Sequence, residues 1–287
     1  MTLEMAIQSL FNGAMLALIY ILIALGLTLV FGIMRIVNFA HGEMYMLGGM
    51  FTFHLATGFG LNYFLALVVS ILLLAIFGVI LERLCFRPIL GNFDAAMVVG
   101  LGLGLMLQSS ALLIFGIEDK SFPSPFHGVV HVFGATMAVE RLAIVPFAVV
   151  LVVCLLLFVG RTKAGKAMQA VAQDIEAAQL QGIDSGKISA LSMAVGSALA
   201  GAAGGLIMPI FITEPFIGGP ALMKAFVIIV VGGMGSIGGV IFAGLILGFI
   251  DSFGAILFGG PVTSILGFFL LIAVILIKPT GLMGHGE

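Results

Sequence analysis

The chain has 287 residues, 62% of them hydrophobic and only 8% charged, with a formal net charge of −2. Soluble domains carry about 25% charged residues, so this composition places most of the surface in lipid rather than water. The slightly negative balance excludes a basic nucleic-acid footprint, and two cysteines without motif spacing, Cys85 and Cys154, supply neither a disulfide framework nor a metal site.

A bilayer crossing needs about 20 apolar residues. In chain order the candidate runs are Ala6 to Ile33, Asn38 to Thr57, Asn62 to Leu81, Asp94 to Gly116, Leu142 to Gly160, Ile188 to Ile212, Ala221 to Gly233, Gly238 to Leu257 and Val262 to Ile277. The first is read as a retained span, because Glu4 and the lack of Lys or Arg before Arg35 do not suit a cleaved signal peptide. Cys154 falls inside the fifth and is read as core. The seventh and ninth are short, and fit either tilted, neighbour-packed spans or broken helices. The runs are continuously apolar rather than alternating, which excludes barrel strands. The expected fold is all-α: one polytopic transmembrane helix bundle of eight to ten spans over residues 1–287, with no internal boundary. Glycine is abundant at 40 residues. Gly196, Ala200 and Gly204, flanked by Ser197, Gly201 and Gly205, form small-residue ridges suited to close helix packing.

Lys and Arg set the orientation. With nine crossings, Arg35, Arg83, Arg87, Arg161, Lys163, Lys166, Lys187 and Lys278 share one side, and Lys120, Arg141 and Lys224 the other. This predicts a periplasmic N-terminus and a cytoplasmic C-terminus. The outer polar loop, 117–141, carries His127 and His131; two ligands without a third are weak for zinc, and a solvated loop or subunit contact is expected. The segments Asn38 to Glu43 and Gly232 to Gly239 each lie between an inbound and an outbound span, which hints at duplicated halves.

The inner loop, 161–187, is the longest polar segment. Ala164, Met168, Val171, Ile175 and Ala178 recur at helical spacing, and Gly182 is placed to end the helix. The apolar face is mostly Ala, flanked by acids. Lipid-surface helices are rich in bulky apolar and basic residues, so this small face suits a protein partner better.

Glu176, Ala177 and Ala178 followed by Gly182 resemble the coupling loop of bacterial ABC importer permeases. With Arg161 to Gly205, the Asn38–Phe39–Ala40–His41–Gly42–Glu43 run and the Gly-Gly-Met-Gly-Ser-Ile-Gly-Gly run at 232–239, the chain resembles the branched-chain amino-acid permease family from end to end. That resemblance implies an inner-membrane transport subunit of an assembly with two separate ATPase subunits, coupled to its ATPase through Asp174, Glu176, Ala177, Ala178 and Gly182. It also implies a second, different permease chain and a periplasmic substrate-binding protein. ATP and Mg²⁺ would be bound by the partners, with no cofactor in this chain. The family also includes carriers of urea, amides and small aromatic or aliphatic acids, and the substrate is not legible here. Gly160 to Ala167 approaches a phosphate-binding loop, but Ala167 lacks the hydroxyl that Mg²⁺ needs. The chain is not expected to be an enzyme.

Polar groups within spans are site candidates by default. Asn38, His41 and Glu43 either line the inner mouth of a pathway or gate, or begin the second helix, with Asn38 as cap and Glu43 at its positive end. Gln108 either contacts substrate or bonds a neighbouring helix. Gly235 and Ser236 sit in a turn or a gate hinge. Asp251 lies past the middle of the eighth span. The rival class, a stand-alone secondary transporter or channel, would place ion-coupling charges at mid-membrane, and the spans read as almost free of charge.

Overall fold

Hydrocarbon offers no partner for backbone N–H and C=O groups, so each apolar run closes its hydrogen bonds within itself as a helix. The structure, a computed structural model, describes residues 2–122, 124–126, 128–132 and 134–284. Its helices are α1 Leu3–Met34, α2 His41–Thr57, α3 Tyr63–Leu81, α4 Phe93–Phe115, α5 Val139–Arg161, α6 Lys163–Gln173, α7 Ile175–Leu180, α8 Ser185–Ile207, α9 Gly218–Gly232, α10 Ile237–Phe258 and α11 Gly260–Ile277. Six of these, α1, α3, α4, α5, α8 and α10, are long and apolar enough to cross a membrane. The all-α membrane bundle therefore stands. The outer loop adds one antiparallel hairpin, β1 Val129–Val132 with β2 Ala135–Ala138.

Two boundaries differ from expectation for local reasons. The sixth run stops at Ile207 rather than Ile212. Pro209 disfavours helical backbone in the residue before it, and 208–217 runs on as turns into α9. The inner loop holds two helices rather than one. The break falls at Asp174, whose extended backbone ends α6 and whose side chain begins α7.

The two ends of the bundle are each tied together. At one end Arg87 pairs through two nitrogens with the wholly buried Glu82, at 3.0 and 2.9 Å, and donates to the Gly186 carbonyl at 2.7 Å. This joins the α3–α4 and α5–α8 connections. At the opposite end Lys120 and Thr213 exchange backbone hydrogen bonds of 2.9 Å. This joins the α4–α5 and α8–α9 connections.

α1 and α8 lie at the centre: 72% and 78% of their spanning windows are buried, against 17% for α4 and 22% for α5. Cys154, expected in the core, is exposed on an outward face of α5. The small residues of α8 explain its central place. Gly196 meets the Gly26 carbonyl of α1, Gly201 meets Gly48 of α2 and Leu74 of α3, and Gly204 meets the Tyr45 carbonyl of α2. A side chain at any of these positions would strike a neighbour. The ridges are thus packing surfaces, as their spacing predicts.

Gly204→Val puts a side chain where the Tyr45 backbone already lies. Overpacking costs about 1–3 kcal/mol, and backbone cannot yield as a side chain tip does. The variant is expected to melt lower in detergent and to give less folded protein. Gly102→Ala, on a face with no heavy atom within 4 Å, is expected to melt at or above the parent temperature. Equal melting of the two would contradict the packing account.

Candidate functional site

The polar residues that open α2 sit deep in the protein. α1 ends at Arg35, whose left-handed backbone (φ 51°) turns the chain back on itself. Residues 36–40 then run without helix alongside α1 and α4, with Phe39 stacked on Phe226 of α9 at 5.5 Å. His41 Nε2 lies 3.1 Å from the Ile23 carbonyl. A carbonyl only accepts, so Nε2 carries the proton. Ile23 is eleven residues before Met34, about 16 Å at 1.5 Å per residue. α2 therefore starts well below the end of α1. Non-helical backbone at such depth is tolerated only where protein buries it.

Asn38 Oδ1 accepts from the Ala40 N–H at 3.0 Å, and Nδ2 points at Met193 Sδ at 3.6 Å. Asn38 thus prepares the turn one step before the helix, whose cap residue is Ala40. Asn38 and His41 are fully buried, and Glu43 is 6% exposed. Glu43 packs against Gly218 at the start of α9, and its Oε2 has no hydrogen-bond partner among the described residues. Gly42 meets the Gly218 carbonyl, so the starts of α2 and α9 touch. Of the two sequence readings, the geometry of Asn38 and His41 fits the one that begins the helix, since neither reaches a surface. Gln108 is half-buried on α4. Its neighbours Leu107 and Ser110 line an apolar groove of about 390 Å³ against Phe51, Leu73 and Phe77.

Gly235 and Ser236 form a tight turn. Gly233 and Gly235 both take positive φ, and Ser236 Oγ accepts from the Gly239 N–H at 3.1 Å to cap α10. The chain after α11 returns to this turn: Leu282 and Met283 donate to the carbonyls of Val231 and Gly232 at 2.8 and 3.0 Å. The last carbonyls of α9 are thereby satisfied, so the turn is pinned from both sides. The segments 38–43 and 232–239 occupy unlike places, one a buried run-in and the other an end turn, and do not form a repeat. The matching pair is instead the two non-helical run-ins before α2 and α9.

A charged cluster contradicts the reading of nearly charge-free spans. Lys224, counted among the outer-side charges, lies inside α9 and donates to both oxygens of Asp251 on α10 at 2.7 and 2.8 Å. Tyr20 of α1 donates to Asp251 Oδ2 at 2.8 Å, and Lys224 Nζ stands 5.9 Å from the centre of the Tyr20 ring. The two charged side chains are 20% and 9% exposed. Opposed charges and a third donor offset much of the desolvation each ion suffers. The cluster of Tyr20, Lys224 and Asp251 joins three helices, and Tyr20 and Lys224 border a cavity of about 310 Å³, lined also by Tyr45 and Glu214 with Ile19, Ile212 and other apolar side chains.

In the inner loop, Thr162 Oγ accepts from the Gly165 N–H at 2.9 Å to cap α6, and Gly165 packs on the Phe158 and Val159 backbone. The phosphate-loop lookalike is thus a tight helix–helix corner. Asp174 Oδ1 accepts from the N–H groups of Glu176 and Ala177 at 2.9 and 3.0 Å. α7 ends in a Schellman turn: Ile183 N–H donates to the Ala178 carbonyl, Gly182 N–H to that of Gln179, and Gly182 takes φ 81°. Gln179 is tied to Ser185 at 2.7 Å. The Lys187 N–H groups hold the Asp184 carboxyl below its ordinary value, beside the start of α8. The expected apolar stripe is correct for Met168, Val171 and Ala178, which are buried. It fails at Ile175, just past the break. Ala178, read as a docking residue, faces the chain's own core at 4% exposure, whereas Ile175 and Leu180 are exposed at 46% and 88%. Glu176, Ala177 and Gly182 are also exposed. Among the described residues no three His, Cys, Asp or Glu side chains gather as a metal site. His131 Nδ1 instead bonds Thr136 Oγ at 3.0 Å, and His127 lies outside the described residues.

Removing one member of a buried ion pair leaves an unmatched charge and costs about 3–5 kcal/mol, whereas replacing both by apolar groups is often neutral. Lys224→Met is therefore expected to lower the melting temperature sharply, and Lys224→Met with Asp251→Leu to recover much of it. Additive losses in the double variant would contradict the pairing.

Comparison with known proteins identifies the chain's relatives. It is 33% identical to the high-affinity branched-chain amino acid transport system permease protein LivH of Escherichia coli K12, over 98% of this chain and 96% of that one. It is 36% identical, with the same coverage, to BraD of Pseudomonas aeruginosa, which carries the same description. The probable branched-chain amino acid transport permease protein LivH of Methanocaldococcus jannaschii is 27% identical over 92% of this chain and 88% of its own. Residues 9–275 match the model of the branched-chain amino acid transport system/permease component family. With a family match across nearly the whole chain and relatives above 30% identity, this multi-pass membrane protein belongs to the branched-chain amino acid transport system permease family.

Proposed function

We propose that the chain is one transmembrane permease subunit of an ATP-binding-cassette importer that carries branched-chain or related small amino acids across the bacterial inner membrane. Family membership supports the class. The observation that carries the mechanism is α7: a short helix, capped at both ends, that turns Ile175 and Leu180 outward at the polar end of the bundle. Apolar side chains on a water-facing helix call for a protein cover, because leaving them wet forgoes the free energy of their burial. Two ATPase subunits supply that cover, one for this chain and one for a second permease. Asp174 holds α7 as a rigid unit, so a push on its exposed face is passed into α8 through the Gln179–Ser185 bond and the buried Ala178.

The second permease is a different chain, giving a heterodimer, and a periplasmic binding protein delivers the substrate. Arg35, Arg83, Arg87, Arg161, Lys163, Lys166, Lys187 and Lys278 fall at the α7 end, which the positive-inside rule assigns to the cytoplasm. The N-terminus is then periplasmic and the C-terminus cytoplasmic. This chain performs no chemistry on ATP. It provides packed helices that rock between inward- and outward-open forms. The pathway runs beside the α2 and α9 starts, where Asn38 and His41 hold the run-in to α2 and Glu43 packs on Gly218, with Gln108, Gly235 and Ser236 at its flanks.

A single cysteine at Leu180, in a chain with Cys85 and Cys154 replaced by Ser, tests orientation and docking together. Membrane-impermeant maleimide is expected to label it only from the cytoplasmic face, and bound ATPase subunits to shield it. Leu180→Asp is expected to keep the fold and reduce ATPase co-purification about tenfold or more. Ala178→Asp is expected to impair folding itself, since it buries an unpaired charge. Labelling from the periplasm would reverse the topology, and an unshielded, freely substitutable Leu180 would remove α7 as the docking element.

A further inference from the structure

The cavity beside the Lys224–Asp251 pair joins opposite charges to an aliphatic wall. Its volume, about 310 Å³, lies at the small end of ligand pockets, which run from about 300 Å³ upward. Leu16, Ile19 and Ile23 of α1 form one wall, and Ile207, Phe211 and Ile217 another. The polar groups in the lining are few: Tyr20, Tyr45, Lys224 and the half-buried Glu214. Lys224 has three N–H donors. Two are directed at the Asp251 oxygens, which leaves one for an incoming acceptor. Asp251 also neutralises the ammonium, so the empty cavity does not hold an unmatched cation.

We propose that this cavity is a transit site for a zwitterionic L-α-amino acid with an aliphatic side chain. This rests on the importer reading above and adds the place and the residues. The substrate carboxylate accepts from Lys224, its ammonium donates to Glu214, and its side chain lies on the isoleucine and phenylalanine walls. Charge-assisted bonds at both ends fix the orientation. A ligand without the ammonium leaves the Glu214 charge unmatched, and one without the carboxylate offers the third Lys224 N–H only a neutral acceptor and forgoes a charge-assisted bond. The cavity lies on the α8–α9 run-in, which the Lys120–Thr213 bridge ties to the outer loop. The start of α9 itself, at Ile217, Pro220 and Ala221, forms part of the lining, so a substrate held here lies against that start.

The test uses the complete transporter in proteoliposomes, with Ile212→Cys on the cavity wall and Cys85 and Cys154 replaced by Ser. Maleimide labelling of that cysteine is followed with L-leucine, leucinamide and 4-methylpentanoate, the last two lacking the carboxylate and the ammonium. The expected result is protection by L-leucine, with at least tenfold weaker protection by either analogue. Glu214→Gln, a change on a half-buried loop outside the core, is expected to abolish the preference for L-leucine over 4-methylpentanoate. L-leucine uptake that proceeds normally while labelling is indifferent to L-leucine overturns the site and leaves the importer reading in place. Absence of amino-acid uptake by the assembled transporter overturns that reading, and the site with it.

Discussion

Close backbone approach along α8 sets the positions of the other helices. Lipid tails are as apolar as leucine, so no hydrophobic drive pulls helices together inside a bilayer, and contact depends on packing and polar bonds. Gly196, Gly201 and Gly204 give that contact by letting α8 touch the backbones of α1 and α2 and the Leu74 side chain of α3. Tyr63 Oη reaches the Gly205 carbonyl at 2.9 Å, which fixes the register of α3. With α2 held there, its start falls beside the middle of α1, and His41 finds the Ile23 carbonyl. The start of α9 then comes against Gly42 and Glu43. The two non-helical run-ins are thus consequences of one small-residue face.

That geometry bears on how such a subunit works. The starts of α2 and α9 meet inside the protein, and the Lys224–Asp251 pair ties α9 to α10 while Tyr20 ties α1 to both. These links make α1, α9 and α10 one unit. The α7 element sits at the far end of α8, with its outer face uncovered and its inner face committed through Ala178. The Gln179–Ser185 bond joins α7 to the start of α8, the helix with the larger buried share of its span, 78% against 72% for α1.

Much of this was legible in the sequence, and the failures have physical causes. Apolar runs located the helices because their signal is long and continuous. The stop at Ile207 was also written in the sequence, as Pro209, but hydropathy carried the run past it. Gly182 was recognised as a helix end because αL backbone favours glycine. Ala178 shares a buried stripe with Met168 and Val171, as its spacing implies, but that stripe packs on the chain's own core rather than on a partner, and Ile175, just past the extended Asp174, is the stripe residue that turns outward. Lys224 was read as a surface charge, since its partner Asp251 is 27 residues away and no local pattern links them. The depth of Asn38 and His41 was hidden for the same reason: it depends on contacts with α1, α4 and α8, none of which is local.

The central claim is that this chain conducts while other subunits supply the energy. The most direct measurement is L-leucine uptake into proteoliposomes that contain this chain with the partners proposed above, with and without the ATPase subunits. The account predicts uptake only when the ATPase subunits and ATP are present, with no response to an imposed proton or sodium gradient. Gradient-driven uptake without the ATPase subunits would contradict it and make the chain a secondary transporter.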